Sequence, residues 1–152
     1  TNTKLYIYRF PNVVGTPSTH GILFDFISRL NYDSTFLKVK GNGNQRKQYL
    51  YVDDLITAMI IGSSSLNEHR NILNIGPSDN GITVKEIAEL TIQEYGKKSE
   101  IIYGKTIAGW KGDIPKFNYD ISKLKSLDWV PIYKSSYDAI KVALKEIIYQ
   151  LS

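Results

Sequence analysis

The chain has no cysteine, one methionine, two histidines and five prolines in 152 residues. Without cysteine, disulfides and thiolate-held metals are excluded, although this says nothing positive about compartment. His20 and His69 stand apart from each other and from any acidic cluster, so no zinc-site spacing exists. Long hydrophobic runs are also missing. The longest, "LITAMII" at 55–61, falls far short of the roughly 18 residues that a bilayer span requires. The first residues lack the basic and apolar regions of a signal peptide, so a cytoplasmic setting with no membrane partner is expected. Low-complexity tracts and internal repeats are absent too.

The composition that remains, 42% hydrophobic and 22% charged, is that of an ordinary globular protein, and the length suits one domain with a real core. Net charge is +4, which permits a polyanionic partner. The cations are mostly lysines scattered in ones and twos, whereas nucleic-acid domains concentrate them on one face. No nucleic-acid partner is expected.

Hydrophobic patterning alternates between strand and helix periods. "KLYIYRF" (4–10) reads as a strand, closed by Pro11 and the turn-prone "NVVGTPSTHG". Ile22, Leu23, Phe26, Ile27 and Leu30 have helical spacing. Short strands are predicted at 36–41 and 47–52 around a Gly41–Gly43 turn, followed by a helix capped by Asp53 or Asp54. The near all-round apolarity of that helix predicts burial. "NILNIG" (71–76) has the continuous apolar character of a strand covered on both faces. "TVKE" offers a capping box between Thr83 and Glu86, and Gly96 ends the helix it opens. A strand at 99–105, a short helix after Asp120 and a longer one from about Ser136 complete the chain.

This is an α/β pattern. A doubly covered strand needs neighbours on both sides, and few other strands of that kind are present. The expectation is therefore a piece of a larger sheet whose remainder lies upstream.

Five stretches in order, "RFPNVVG" (9–15), "GNGNQRKQYLYVDD" (41–54), "NILNIG" (71–76), "GWKGDIP" (109–115) and "DISKLKSLDWVP" (120–131), together resemble the C-terminal half of extended short-chain dehydrogenases of the NAD-dependent nucleotide-sugar epimerase and dehydratase family. The resemblance covers nearly the whole chain. It implies an α/β substrate-binding portion carrying the last strands of a Rossmann sheet. The N-terminal Rossmann half, with the glycine-rich NAD turn and the catalytic tyrosine and lysine, would then be the missing partner. Two Tyr-x-x-x-Lys matches, Tyr119–Lys123 and Tyr137–Lys141, are attributed to chance in a chain with 11 tyrosines and many lysines. "GNG" leads from one strand to another instead of into a helix, so it is no Rossmann fingerprint.

The resemblance also implies a set of ligand contacts. Asn12 matches a family asparagine that donates to a phosphate. Lys47 falls where most relatives carry a phosphate-binding arginine, with Arg46 one residue earlier; strand alternation allows only one of them to face the ligand, and Lys47 is favoured. A lysine there is a point charge and lacks the bidentate fork of arginine. Asp113 matches an aspartate near the ribose, and Trp110 stands where many relatives have a second arginine. Leu23, Lys38 and Lys40 lie where family backbone groups meet base and phosphate. Phe10 and Pro11 match positions against the nicotinamide of NAD. The "YVDD" segment is read as mostly structural.

The expected function is UDP-sugar binding within a sugar C4 epimerase, inactive alone. A 4,6-dehydratase portion, a non-catalytic sugar-nucleotide-binding module, and a fragment that forms homo-oligomers through orphaned strands remain alternatives. A basic RNA-binding domain is a further one and predicts steep salt dependence.

Overall fold

The computed structural model describes residues 3–107 and 118–152. Along these residues run β1 (Leu5–Arg9), β2 (Asn12–Val14), α1 (Ile22–Tyr32), β3 (Phe36–Val39), β4 (Arg46–Lys47), β5 (Tyr49–Tyr51), α2 (Val52–Ser65), β6 (Arg70–Asn74), β7 (Ile82–Thr83), α3 (Val84–Tyr95), β8 (Glu100–Tyr103), α4 (Ser122–Lys125) and α5 (Ser136–Leu151). The mixed α/β class read from the sequence is what forms.

The strands pair in twos. β1 lies parallel to β6, in register from Leu5 with Arg70 to Arg9 with Asn74. β2 runs parallel to β5, β3 runs parallel to β8, and β4 meets β7 antiparallel. The two sequence segments flanking the Gly41–Gly43 turn therefore take different partners and do not pair with each other. Both turn glycines have positive φ, 77° and 80°, a conformation that costs glycine nothing and other residues about 1 kcal/mol or more. The strand β2 inside "NVVGTPSTHG" was not foreseen: turn chemistry at Gly15 to Pro17 masks three residues that gain their conformation by pairing with Tyr49–Tyr51.

Two apolar clusters hold these pairs. The larger joins α1, α3 and α5 to β3 through Ile27, Leu30, Leu37, Ile87, Ile140 and Leu144, all 1% exposed or less, and to β5 through Tyr49 and Tyr51. The smaller, around Leu50, Leu73, Ile75, Leu124 and Trp129, fastens α2 and α4 to β6. Burying a Leu or Ile side chain contributes about 1.5–3 kcal/mol, so the spacing seen in α1 accounts for its docking. Tyr6 and Tyr8 tie β1 to α2, donating to the carbonyls of Leu66 and Met59 at 3.0 Å each; burial pushes the Tyr8 phenol up.

Helix α2 departs from expectation twice. It begins at Val52, so Tyr51 is the N-cap residue and makes no side-chain cap bond. Asp53 and Asp54 fall in the first turn, where negative charge still favours the helix dipole. Asp54 is fully buried and accepts from the amides of Ile132 and Tyr133 at 2.6 and 3.1 Å. The helix buries only the face of Leu55, Ala58 and Gly62 and leaves Ile56 and Ile60 about half exposed.

At α3 the capping box forms as read. Thr83 Oγ1 accepts from the Glu86 amide at 3.1 Å, and Glu86 accepts from the Thr83 amide at 2.7 Å. These bonds to Thr83 hold the Glu86 carboxyl below its ordinary value of 4.5. A depressed carboxyl stabilises the fold above its unfolded value and loses that contribution as pH falls through the folded one. Thr83→Ala should therefore cost about 1 kcal/mol, roughly 3 °C of melting temperature, at pH 7. Melting curves at pH 7 and pH 3 check this, since the difference from wild type should shrink in acid.

Candidate functional site

A cavity of about 930 Å³ opens between the loop after β1, the start of α1 and the β4–β5 segment. Its wall is built by local rules. Along the extended stretch from Gln45 to Tyr49, side chains alternate: Gln45, Lys47 and Tyr49 border the cavity. Arg46 turns the other way, donating to the Gly81 carbonyl at 2.6 Å and pairing with Glu86 at 3.4 Å. Asn12 is the register partner of Tyr49 and borders the same cavity, with Phe10 and Pro11 beside it.

The opposite wall is the N-terminus of α1. Gly21, Ile22 and Leu23 line the cavity, and Gly21 offers no side-chain cap. Among the described residues no side chain caps the first amides of this eleven-residue helix, and their partial positive charge favours an anion. Arg29 and Lys40 border the cavity as well, and Asp25 supplies negative charge one turn before Arg29. Arg29 is steered by a 2.8 Å bond to the Lys38 carbonyl.

The segment from Gly15 to Gly21, which forms one side of the cavity, is sewn to α5. The Ser18 amide donates to Gln150 Oε1 at 2.8 Å, and Gln150 returns a bond to the Ser18 carbonyl at 2.7 Å. Thr16 and Tyr51 both donate to the Glu146 carboxylate, Tyr51 at 2.7 Å. Burial, followed by that carboxylate, pushes the Tyr51 phenol far up, so it is a permanent donor and not an acid–base group at neutral pH.

Of the residues singled out in the sequence, Asn12, Leu23, Lys40, Lys47, Phe10 and Pro11 meet on this one cavity. Lys38 does not border it; its ammonium sits 5.1 Å from the Phe36 ring centre. Trp110 and Asp113 lie outside the described residues. Tyr119 and Lys123 are occupied with backbone carbonyls, those of Phe10 and Ile72. Gln45, Arg29 and the cap-free start of α1 were missed. Gln45 had a signal, since it stands two residues before Lys47 and alternation puts both on one side. Arg29 had none, because nothing local to α1 reveals which residue meets the end of β3.

Arg29, Lys40 and Lys47, the start of α1 and Asn12 thus border one hollow. Residues 1–76 match the model of the NAD dependent epimerase/dehydratase family, and the chain belongs to that family. A UDP-glucuronate 4-epimerase of Thermodesulfobacterium geofontis is 31% identical over 110 residues, 72% of this chain and 32% of that protein. Among solved structures, a UDP-galactose 4-epimerase superposes with a TM-score of 0.80 at 27% identity, covering 98% of this chain and 47% of the other. A UDP-glucose 4-epimerase of Thermotoga maritima, solved with UDP-glucose, gives 0.76 at 25% identity, covering 97% and 47%. The chain thus spans less than half the length of these relatives. No helix among the described residues is long and apolar enough to cross a membrane.

Proposed function

We propose that this chain is the substrate-gripping, C-terminal portion of an NAD-dependent nucleotide-sugar C4 epimerase, most like UDP-glucose 4-epimerase, and that its cavity holds the diphosphate and nucleoside of a UDP-sugar. The observation that carries this reading is the convergence of Asn12, Lys47 and the cap-free α1 N-terminus on one cavity. Lys47 supplies the charge and Asn12 a directed donor. The α1 amides complete a cradle that tolerates two phosphates. Asp113 is the proposed ribose contact and Trp110 a nucleotide-packing group. Lys40 adds positive potential at the far end.

NAD is handled mainly elsewhere in this reading. The Gly41–Gly43 turn leads into β4 and not into a helix, so it does not fit a dinucleotide pyrophosphate. Phe10 and Pro11 on the cavity rim are the proposed contact with the nicotinamide end. Proton and hydride transfer are assigned to an upstream Rossmann half, and the chain alone should not turn over UDP-glucose in a coupled assay supplied with NAD. The half-exposed Ile56 and Ile60, and the two-stranded β1–β6 pair, support a surface meant to be covered by that half. A cytoplasmic setting goes with this assignment.

Calorimetric titration of UDP tests the grip. Lys47→Ala should weaken UDP binding about 10- to 100-fold, the worth of one charge-assisted hydrogen bond. Arg46→Ala, whose guanidinium is committed to Gly81 and Glu86, should change it far less. Equal losses in the two variants would sink the assignment of Lys47.

A further inference from the structure

We propose that Gln150, on the last turn of α5, is a positioning residue that clamps the Gly15–Gly21 loop into the shape in which the cavity accepts its ligand. The inference rests on the nucleotide-sugar reading above and adds a residue that acts through the loop, outside the ligand contacts.

Every residue from Gly15 to Gly21 borders the cavity, yet little holds the middle of this loop. Among the described residues, none from Thr16 to His20 takes part in a backbone–backbone hydrogen bond. The two ends are fixed by their neighbours. Gly15 has φ of 144°, and a Cβ there would come 2.6 Å from Val52 Cγ1, so the chain lies close against the start of α2. At the other end the Gly21 carbonyl accepts from the Asp25 amide at 2.9 Å. Between these points α5 reaches out with side chains. Glu146 accepts from Thr16 Oγ1 at 3.3 Å. One turn on, Gln150 accepts from the Ser18 amide at 2.8 Å and donates to the Ser18 carbonyl at 2.7 Å.

That last pair of bonds is what a neighbouring strand would give. One planar carboxamide meets both main-chain groups of Ser18, so a swing of either adjoining peptide plane breaks a bond. Gln150 does this from outside the core, being exposed itself. Ile147, three residues earlier on the same face, is 1% exposed and borders the cavity. The core therefore sets the place of α5, and the loop takes its place from α5. A loop released from Ser18 visits other shapes, and apparent affinity falls with the fraction that remains competent to bind. Affinity is then lost although no ligand contact has been removed.

Gln150→Met keeps the length and helix preference of the side chain and removes both hydrogen-bonding ends. In calorimetric titrations of the 152-residue chain it should weaken UDP about fivefold, and hydrogen exchange at the Ser18 amide should quicken about tenfold. The melting temperature should stay within about 2 °C, as for other exposed substitutions. Tyr149→Ala, at a neighbouring side chain that is 85% exposed, should leave UDP affinity and Ser18 exchange within about twofold of wild type. The proposal is overturned if Gln150→Met leaves UDP affinity or Ser18 exchange unchanged, if it melts several degrees lower, or if Tyr149→Ala weakens UDP equally. Should wild type not bind UDP, the nucleotide-sugar reading falls and this inference with it. Wild-type UDP binding that ignores Gln150 removes the inference alone.

Discussion

Gly81→Ala is expected to lower the melting temperature by roughly 10 °C and to weaken UDP binding in the same protein. Gly81 has φ of 81°, a conformation that costs an alanine about 1–2 kcal/mol. A Cβ there would also fall against the carbonyl of Lys47 and 2.8 Å from the Gln48 amide nitrogen. Those neighbours are backbone, so relief requires moving the strand. Strain and overpacking together come to about 3 kcal/mol, which for a chain of this length is roughly 10 °C. The strand that must yield carries Lys47 and Gln45, so the stability defect and the binding defect share a cause. Thermal melting and calorimetry on one preparation check both; an alanine variant that melts within 2 °C of wild type contradicts the argument.

Asp54→Ala should be comparably severe for stability while touching no cavity residue. Asp54 is fully buried, and its two oxygens hold the amides of Ile132 and Tyr133. Removing it strands two amide donors that were paired with a carboxylate. Each such bond is worth about 1.5–3 kcal/mol, so a loss of about 3–4 kcal/mol is expected. Asp54→Asn should recover less than half of this, because its amide group can accept from only one of the two and turns a donor toward the other. Urea unfolding of the three proteins would measure it. An asparagine variant as stable as wild type would show that the carboxylate is not what anchors the segment after Trp129 to α2.

These cases mark where the sequence could and could not be read. Thr83 and Glu86 were legible because a capping box lies within four residues of chain. The core stripe of α1 was legible because burial imposes a period, and the strand at β6 because its apolar residues form a short continuous run. Asp54 was misassigned for the opposite reason: its partners are 78 and 79 residues away, and locally it looks like a helix cap. Strand β2 was hidden because its three residues take their conformation from β5 and not from their own propensity. At the cavity, alternation separated Lys47 from Arg46 in advance, since that choice depends only on neighbours in sequence. Gln45 was readable by the same alternation, whereas Arg29 depends on which elements the fold brings face to face.

The alternating wall of the cavity also makes loop length a quantity that matters as much as residue identity. One residue inserted between Gln48 and Tyr49, with Tyr49 still paired to Asn12, would rotate the side chains before it by half a period. The hollow would then be presented with Arg46 and Gln48 in place of Gln45 and Lys47. Point substitutions in this stretch would change the ligand contacts one at a time, while a single insertion at that point would exchange both at once.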